Sequence, residues 1–157
     1  MSAYIRRMLL IQGYQSEDVF YNDHLNLLAR WTPFACGCCG SLGLGLRSPF
    51  YFWILGALTL VGSMSSRSIY DYVYQALLPP FTTLGDMPRH GAPRRFGCAI
   101  GAVLFILSGW GCYLNRPLLA LIPALIIVPL AFGAAITQWC FASALYRLLL
   151  RRNEDCC

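Results

Sequence analysis

The sequence has little charge and no lysine. Charged residues make up 12% of the 157 residues, and all 12 basic residues are arginines. A typical soluble domain contains about 25% charged residues. The hydrophobic share is 57% and the mean hydropathy is +0.54, which argues against a soluble domain, a disordered chain or a coiled coil. The composition therefore predicts a small integral membrane protein with a single helical domain.

The sequence also lacks the common motifs of catalysis and nucleotide binding. Its two histidines, His24 and His90, are far apart, so no paired metal-ligand spacing such as HExxH is present. No Walker loop, GxGxxG motif or GxSxG motif occurs. We therefore expect a non-catalytic protein more than an enzyme. No cofactor is identified, although a bound lipid or pigment is left open.

Four apolar stretches approach the ~20 residues that a helix needs to cross a bilayer. They are residues 27–46, 49–64, 96–114 and 117–141. Short connections join the first stretch to the second and the third to the fourth, which predicts two antiparallel hairpins. The last three stretches contain no acidic or basic side chain, although a transport path usually needs one inside the membrane. The predicted fold is all-α, with four transmembrane helices.

One amphipathic segment lies between the two hairpins. From residue 65 to residue 78, apolar side chains recur at helical spacing, while Asp71 and Gln75 lie on the opposite side. This pattern predicts a helix at the cytoplasmic membrane surface, or a continuation of the second span, with Asp71 on its polar side. The single membrane domain thus divides into an N-terminal cytoplasmic or interfacial segment 1–26, a first hairpin 27–64, an interfacial helix and loop 65–95, a second hairpin 96–141 and a cytoplasmic tail 142–157.

The arginines and tryptophans predict the orientation in the membrane. Arg47 and Arg116 lie in the hairpin connections, and the other ten arginines lie in the N-terminal, central and C-terminal segments. Because arginine-rich segments stay in the cytoplasm, both termini are predicted to be cytoplasmic, in the inner membrane of a bacterium. The arginines form no cluster on one face, so we expect lipid and other membrane proteins as partners and not nucleic acid. The predicted membrane-interface anchors are Trp31, Trp53, Trp110 and Trp139.

Small residues on the last two spans predict close helix contacts. Gly97, Gly101 and Ser108 recur along one side of the third span, and small residues at such spacing let helix backbones approach closely. Ala131 and Ala135 offer a second face of this kind on the fourth span. We expect the first face to pack inside the protein and the second to meet a neighbouring protein.

The chain contains eight cysteines. Cys36, Cys38 and Cys39 form the densest group, and thiolates in such a group favour soft metals such as Cu(I) or zinc. No histidine, methionine or carboxylate lies near enough in sequence to complete a metal site, so packing beside glycines is the preferred interpretation. Cys140 and Ser143 form a Cys-x-x-Ser pattern in the later part of the predicted fourth helix. The helix dipole does not activate a thiol there, so we do not expect Cys140 to be a reactive nucleophile.

Three short stretches resemble those of a known family. They are residues 70–80, which run from Tyr-Asp-Tyr-Val-Tyr to Leu-Leu-Pro-Pro, residues 93–101, which begin with Pro-Arg-Arg-Phe-Gly, and residues 139–146, which begin with Trp-Cys. Over residues 22–150 the chain resembles the small bacterial four-helix membrane proteins classed as domain of unknown function 4395. That family usually has Cys-x-x-Cys where this sequence has Cys140 and Ser143. Its members often resemble companions of thioredoxin-like or rhodanese-like proteins, so the resemblance implies thiol or sulfur handling.

These observations lead to three functional expectations. A non-catalytic membrane subunit or scaffold, held in a larger assembly through its apolar faces, is expected first. The alternative is a membrane thiol-redox or sulfur-relay protein that uses Cys140, with Cys98 or the 36–39 cluster as its companion. A small-molecule transporter is the weaker alternative.

Overall fold

A computed structural model describes residues 3–14, 25–65, 69–77 and 91–150. Within these ranges every regular element is a helix, which confirms the predicted all-α fold for this part of the chain. The predicted tail beyond residue 150 and most of the central loop lie outside these ranges. The helices are α1 (Ala3–Ile11), α2 (Leu25–Leu46), α3 (Pro49–Met64), α4 (Ile69–Leu77), α5 (Ala92–Tyr113), α6 (Pro117–Thr137) and α7 (Phe141–Leu150).

Two of these helices are long and apolar enough to cross a membrane. α5 has 22 residues and α6 has 21. Only 33% of the apolar window of α5 and 22% of that of α6 are buried inside the protein, so both helices expose most of their apolar surface. α3 is also apolar but has only 16 residues, and α2 does not meet the same criteria. The described residues therefore support two of the four predicted spans by length and composition.

The helix starts at the two short connections follow the sequence prediction. Pro49 and Pro117 are the first residues of α3 and α6, where the missing N–H of proline costs no helical hydrogen bond. The chain turns just before them at Arg47 and Asn115, whose φ angles are 50° and 51°. In each connection the chain thus reverses its direction at one residue in the left-handed conformation.

The fourth apolar stretch is divided between two helices. α6 ends at Thr137, because Gln138 takes the left-handed conformation with a φ of 58°. Residues 138–140 separate α6 from α7, and α7 occupies part of the predicted tail. The prediction of one helix over 117–141, with Cys140 late in its length, is therefore wrong.

The helices of the two predicted hairpins pack on each other. α3 makes its main contact with α5, and α2 makes its main contact with α6, whereas the contact between α2 and α3 is slight. The core between them includes Phe52 and Phe105, whose rings stack with their centroids 6.4 Å apart. Helices that are adjacent in sequence are thus not the main packing partners in the first hairpin.

Both small-residue faces lie inside the protein. Gly101 and Ser108 are buried on α5, and Ala131 and Ala135 are buried on α6. The expectation that the alanine face meets a neighbouring protein is therefore corrected, because α6 packs against both α2 and α5. The closest helix contact is at Gly111, where an added Cβ would overlap the backbone of α6.

α4 follows the second apolar stretch, but its orientation differs from the prediction. Asp71, which was expected on the polar side, is fully buried with 0% exposure. Tyr72 and Val73, from the apolar side, are 52% and 42% exposed. The helix turns its polar side toward the protein, which is the arrangement expected where the surroundings are apolar.

The tryptophans form specific contacts. Trp53 and Trp110, both predicted at the hairpin end, pack edge to face with their ring centroids 5.6 Å apart. Trp31 donates a hydrogen bond from Nε1 to the carbonyl oxygen of Tyr70 at 2.8 Å, and Trp139 lies in the break between α6 and α7. Their role as anchors at the membrane interface stays a prediction.

Candidate functional site

Buried polar side chains gather around one end of α2, where α4, the first turns of α5 and the α6–α7 break meet. Polar groups removed from water are costly unless they find partners. We call this group the polar cluster and define it by its buried members, which are Gln12, Tyr14, Thr32, Asp71, Arg94, Gln138 and Ser143.

Arg94 is the buried cation of the polar cluster, with only 7% exposure. Its Nη1 donates to the hydroxyl of Tyr14, and its Nη2 donates to the carbonyl oxygen of Ala29 at 3.0 Å. The guanidinium also lies 5.2 Å from the centre of the Tyr14 ring. It interacts electrostatically with the thiols of Cys98 and Cys140. A positive charge with limited access to water is thus held beside two sulfur atoms.

Asp71 brings a buried carboxyl group to the same region. Its Oδ1 accepts a hydrogen bond from the hydroxyl of Thr32 at 2.6 Å. It also interacts electrostatically with Cys98. Buried ionisable residues in membrane proteins are expensive and usually mark a functional site. Cys98 therefore interacts with a buried guanidinium and with a buried carboxyl group.

The left-handed residue at the end of α6 is fixed by long-range contacts. Gln138 is 1% exposed, and its side-chain Nε2 donates to the carbonyl oxygen of Asn26 at 2.8 Å. Its own carbonyl oxygen accepts a hydrogen bond from Nε2 of Gln12. Contacts from α2 and from the residues after α1 thus stabilise the break between α6 and α7.

The break places Cys140 at the start of α7. The amide of Ala144 donates to the carbonyl oxygen of Cys140 at 3.1 Å, so Cys140 occupies the N-cap position of that helix. Its Sγ lies 3.9 Å from the position that a Cβ on Gly97 would take. The prediction of an unreactive Cys140 rested on a place late in a helix, and the structure instead puts Cys140 at the beginning of one. The reason for expecting an inert Cys140 is therefore removed.

Ser143 replaces the second sulfur of a Cys-x-x-Cys pattern, but another thiol is close. Ser143 is fully buried in the first turn of α7, and its hydroxyl has no hydrogen-bond partner among the described residues. Cys98, which follows Gly97 on α5, interacts electrostatically with Cys140. The structure thus places Cys98 of α5 in the same region as Cys140.

Cys36 extends the group of thiols toward α2. It is partly buried, and it interacts electrostatically with Cys98 and Cys39. Burial, together with the nearby Cys36 and Cys39, raises the pKa of the Tyr70 hydroxyl, so Tyr70 stays neutral beside these thiols. Cys38 is exposed on the other side of α2, as expected from helical spacing.

The weak metal alternative at 36–39 gains no support. In the part of the chain that the structure describes, no three histidine, cysteine or acidic side chains are grouped to hold a metal ion. The six described cysteines are all free thiols.

Sequence reasoning found Cys140 and Ser143 but missed Arg94 and Asp71 as members of the site. The sequence did contain an indication of these residues. The three stretches that carry the family resemblance contain Asp71, Arg94 and Cys140 respectively. The structure brings these three stretches together at the polar cluster. Gln12 and Tyr14 carried no comparable signal in the sequence.

A protein family matches most of the chain. The match covers residues 26–151, and it includes all members of the polar cluster except Gln12 and Tyr14. No curated protein and no solved structure matches the chain. The protein therefore belongs to the family described as Domain of unknown function (DUF4395).

Proposed function

We propose that this protein is a membrane thiol–disulfide exchange protein in which Cys140 attacks and Cys98 resolves. One observation carries the proposal: Cys140 begins α7 beside Cys98, and both thiols interact with the buried guanidinium of Arg94. A reactive cysteine usually lies in a positively charged, partly accessible environment. Cys140 is partly buried and so keeps some access from outside.

The two thiols differ in their electrostatic surroundings. Arg94 acts on both of them, whereas Asp71 acts on Cys98. A carboxylate repels a second negative charge nearby. Cys140 also has the N-terminal end of α7, which stabilises an anion. We propose Cys140 as the first nucleophile because it begins α7, and Cys98, inside α5, as the second.

The exchange proceeds in two balanced steps. The Cys140 thiolate attacks one sulfur of a disulfide in a partner protein, which forms a mixed disulfide and releases the other partner sulfur as a thiolate that takes up a proton. Cys98 then loses its proton and attacks the sulfur of Cys140. The second partner thiol leaves, and a disulfide between Cys98 and Cys140 remains. Two electrons have passed from the cysteine pair to the partner.

The proposal includes placement in the bacterial inner membrane with four spans and cytoplasmic termini. The exposed apolar surfaces of α5 and α6 support the membrane location. The polar cluster lies on the side of the arginine-rich segments, which would put the thiols near the cytoplasmic surface. There they could meet a soluble thiol protein, the kind of companion implied by the family resemblance.

Oxidation with diamide in isolated membranes tests the cysteine pair directly. Alkylation followed by peptide mass spectrometry should find a disulfide between Cys98 and Cys140, and Cys140→Ser and Cys98→Ser should each abolish it. Cys112→Ser, on the same helix as Cys98 but at its far end, is the matched control and should leave it unchanged. Free thiols at both positions after oxidation would contradict the proposal.

A membrane subunit without chemistry of its own is the second candidate. Gly133 on α6 favours it, because a Cβ added there would meet nothing within 4 Å, which leaves an open position for a neighbouring helix. The alanine face on the same helix no longer supports this function, since it is buried. The diamide experiment separates the candidates, because a subunit without thiol chemistry keeps both cysteines as thiols.

A further inference from the structure

A groove lies on the outer surface between α2, α4 and α6. Its volume is about 470 Å³, which is in the ~300–1,000 Å³ range of ligand pockets. Aliphatic and aromatic side chains form nearly all of its wall. The residues that matter here are Leu27, Arg30, Trp31, Phe34, Tyr74 and Ile136.

Arg30 is the one charged side chain among the residues that line this groove. It is partly buried, and its Nε is buried with no hydrogen-bond partner among the described residues. A buried donor without a partner is costly, and hydrogen bonds to charged groups are among the stronger ones. A positive charge in the lining of an otherwise apolar groove favours an anionic ligand there.

The groove has a charged end and an apolar end. Phe34 lies one helical turn, about 6 Å, beyond Arg30 along α2, in the direction away from Asn26 and the α6–α7 break. Phe34 is 50% exposed and Ile136 is 70% exposed. Trp31 is held in place as a wall by its hydrogen bond to the backbone of α4.

We infer that this groove binds an anionic phospholipid, with the phosphate at Arg30 and one acyl chain along Phe34. The guanidinium matches phosphate in charge and geometry, and the apolar wall matches hydrocarbon. Arg30 also lies on the arginine-rich side of the molecule, so the head group would be at the level of the membrane surface. This inference rests on the proposed membrane placement and is independent of the thiol chemistry.

Native mass spectrometry of the full chain, released from nanodiscs of mixed phosphatidylglycerol and phosphatidylcholine, tests the lipid site. The unaltered protein should retain phosphatidylglycerol in preference to phosphatidylcholine. Arg30→Gln should weaken phosphatidylglycerol binding about tenfold, as expected for the loss of a charge-assisted hydrogen bond. Arg30→Lys should keep the preference, because it keeps the charge. Arg7→Gln, at an exposed arginine of α1, is the control and should change nothing.

Two further measurements show which part of the lipid is bound. Phe34→Ser removes the apolar wall beyond Arg30 and should reduce retention of both lipids, whereas soluble glycerol phosphate should not compete. Competition by glycerol phosphate, or equal retention of both lipids by the unaltered protein, would overturn the inference. So would an unchanged preference in Arg30→Gln. The diamide cross-link should form normally in Arg30→Gln, so failure of the lipid site and failure of the thiol proposal are distinguishable.

Discussion

At the scale of single residues, the charge beside the two thiols comes from Arg94. Its neighbour in sequence, Arg95, donates instead to the carbonyl oxygens of Ser63 and Met64, with Nε at 2.9 Å from the former and Nη2 at 2.6 Å from the latter. Two adjacent arginines therefore have different roles. One faces the thiols, and the other satisfies carbonyl groups that end α3.

We predict that Arg94→Gln slows alkylation of Cys140 by a maleimide roughly threefold to tenfold at neutral pH, because the thiolate loses a nearby cation. The measurement is the rate of Cys140 labelling in membranes, resolved by peptide mass spectrometry. Arg95→Gln is the matched control and should leave the rate within about twofold. Arg94→Lys should restore most of the rate even if packing around Tyr14 changes. Equal slowing in both glutamine variants would show that Arg94 acts only through folding.

The sequence indicated part of this site, and the missing part has a physical cause. Cys140 and Ser143 are recognisable because their spacing is local. Asp71 and Arg94 were assigned to exposed or interfacial positions, since charged side chains are rarely buried unless paired. Their burial depends on partners such as Thr32 and Tyr14, which are distant in sequence.

At the scale of elements, the break between α6 and α7 decides where Cys140 lies. Residues 137–141 read Thr-Gln-Trp-Cys-Phe, without the glycine or proline that usually signals a helix end. The hydrogen bonds of Gln138 with Gln12 and Asn26 fix the break instead. No local pattern could therefore predict it, whereas the starts of α3 and α6 at proline were predictable.

We predict that Gln138→Leu lowers the free energy of unfolding by about 1–3 kcal/mol, because it leaves buried polar groups without their partner. Thermal unfolding in mild detergent measures the change. Gln138→Gly is the informative control, since glycine accepts a positive φ without strain but lacks the side-chain amide. We expect the glycine variant to be less stable than the unaltered protein as well. A glycine variant of equal or higher stability would show that backbone conformation alone, and not the amide, sets the break.

At the scale of the whole molecule, hydropathy predicted the helices better than their arrangement. The apolar stretches are helical where the structure describes them, apart from Leu114 and the break at residues 138–140. The pairing of α2 with α6 and of α3 with α5 was not predicted. Helices in lipid have no hydrophobic driving force toward one particular neighbour. Close contacts such as that of Gly56 on α3 with Ala102 and Ile106 on α5 select the partner. Such contacts depend on side-chain shape, which the hydropathy pattern does not describe.

We predict that a reporter active only in the cytoplasm gives signal when fused after residue 157 or inserted in the central loop. The physical reason is the excess of arginine in these segments over the hairpin connections. Cell fractionation confirms that each fusion is in the membrane. Insertion of the same reporter at Arg47 or Arg116 should give no signal. Signal at those positions would reverse the orientation and place the thiols on the other side.

The turn after α1 shields the guanidinium of Arg94 from water. Tyr14 covers the guanidinium, and Gly13 packs so closely on Gly91 that a Cβ on either would overlap the backbone of the other. The energy between two charges falls as the local dielectric constant rises. While this turn stays closed, Arg94 acts on the thiols at low dielectric. If the turn opened, water would screen that charge and its interaction with the thiols would weaken. The N-terminal residues would thus control groups that lie about 80 to 130 residues away in the sequence.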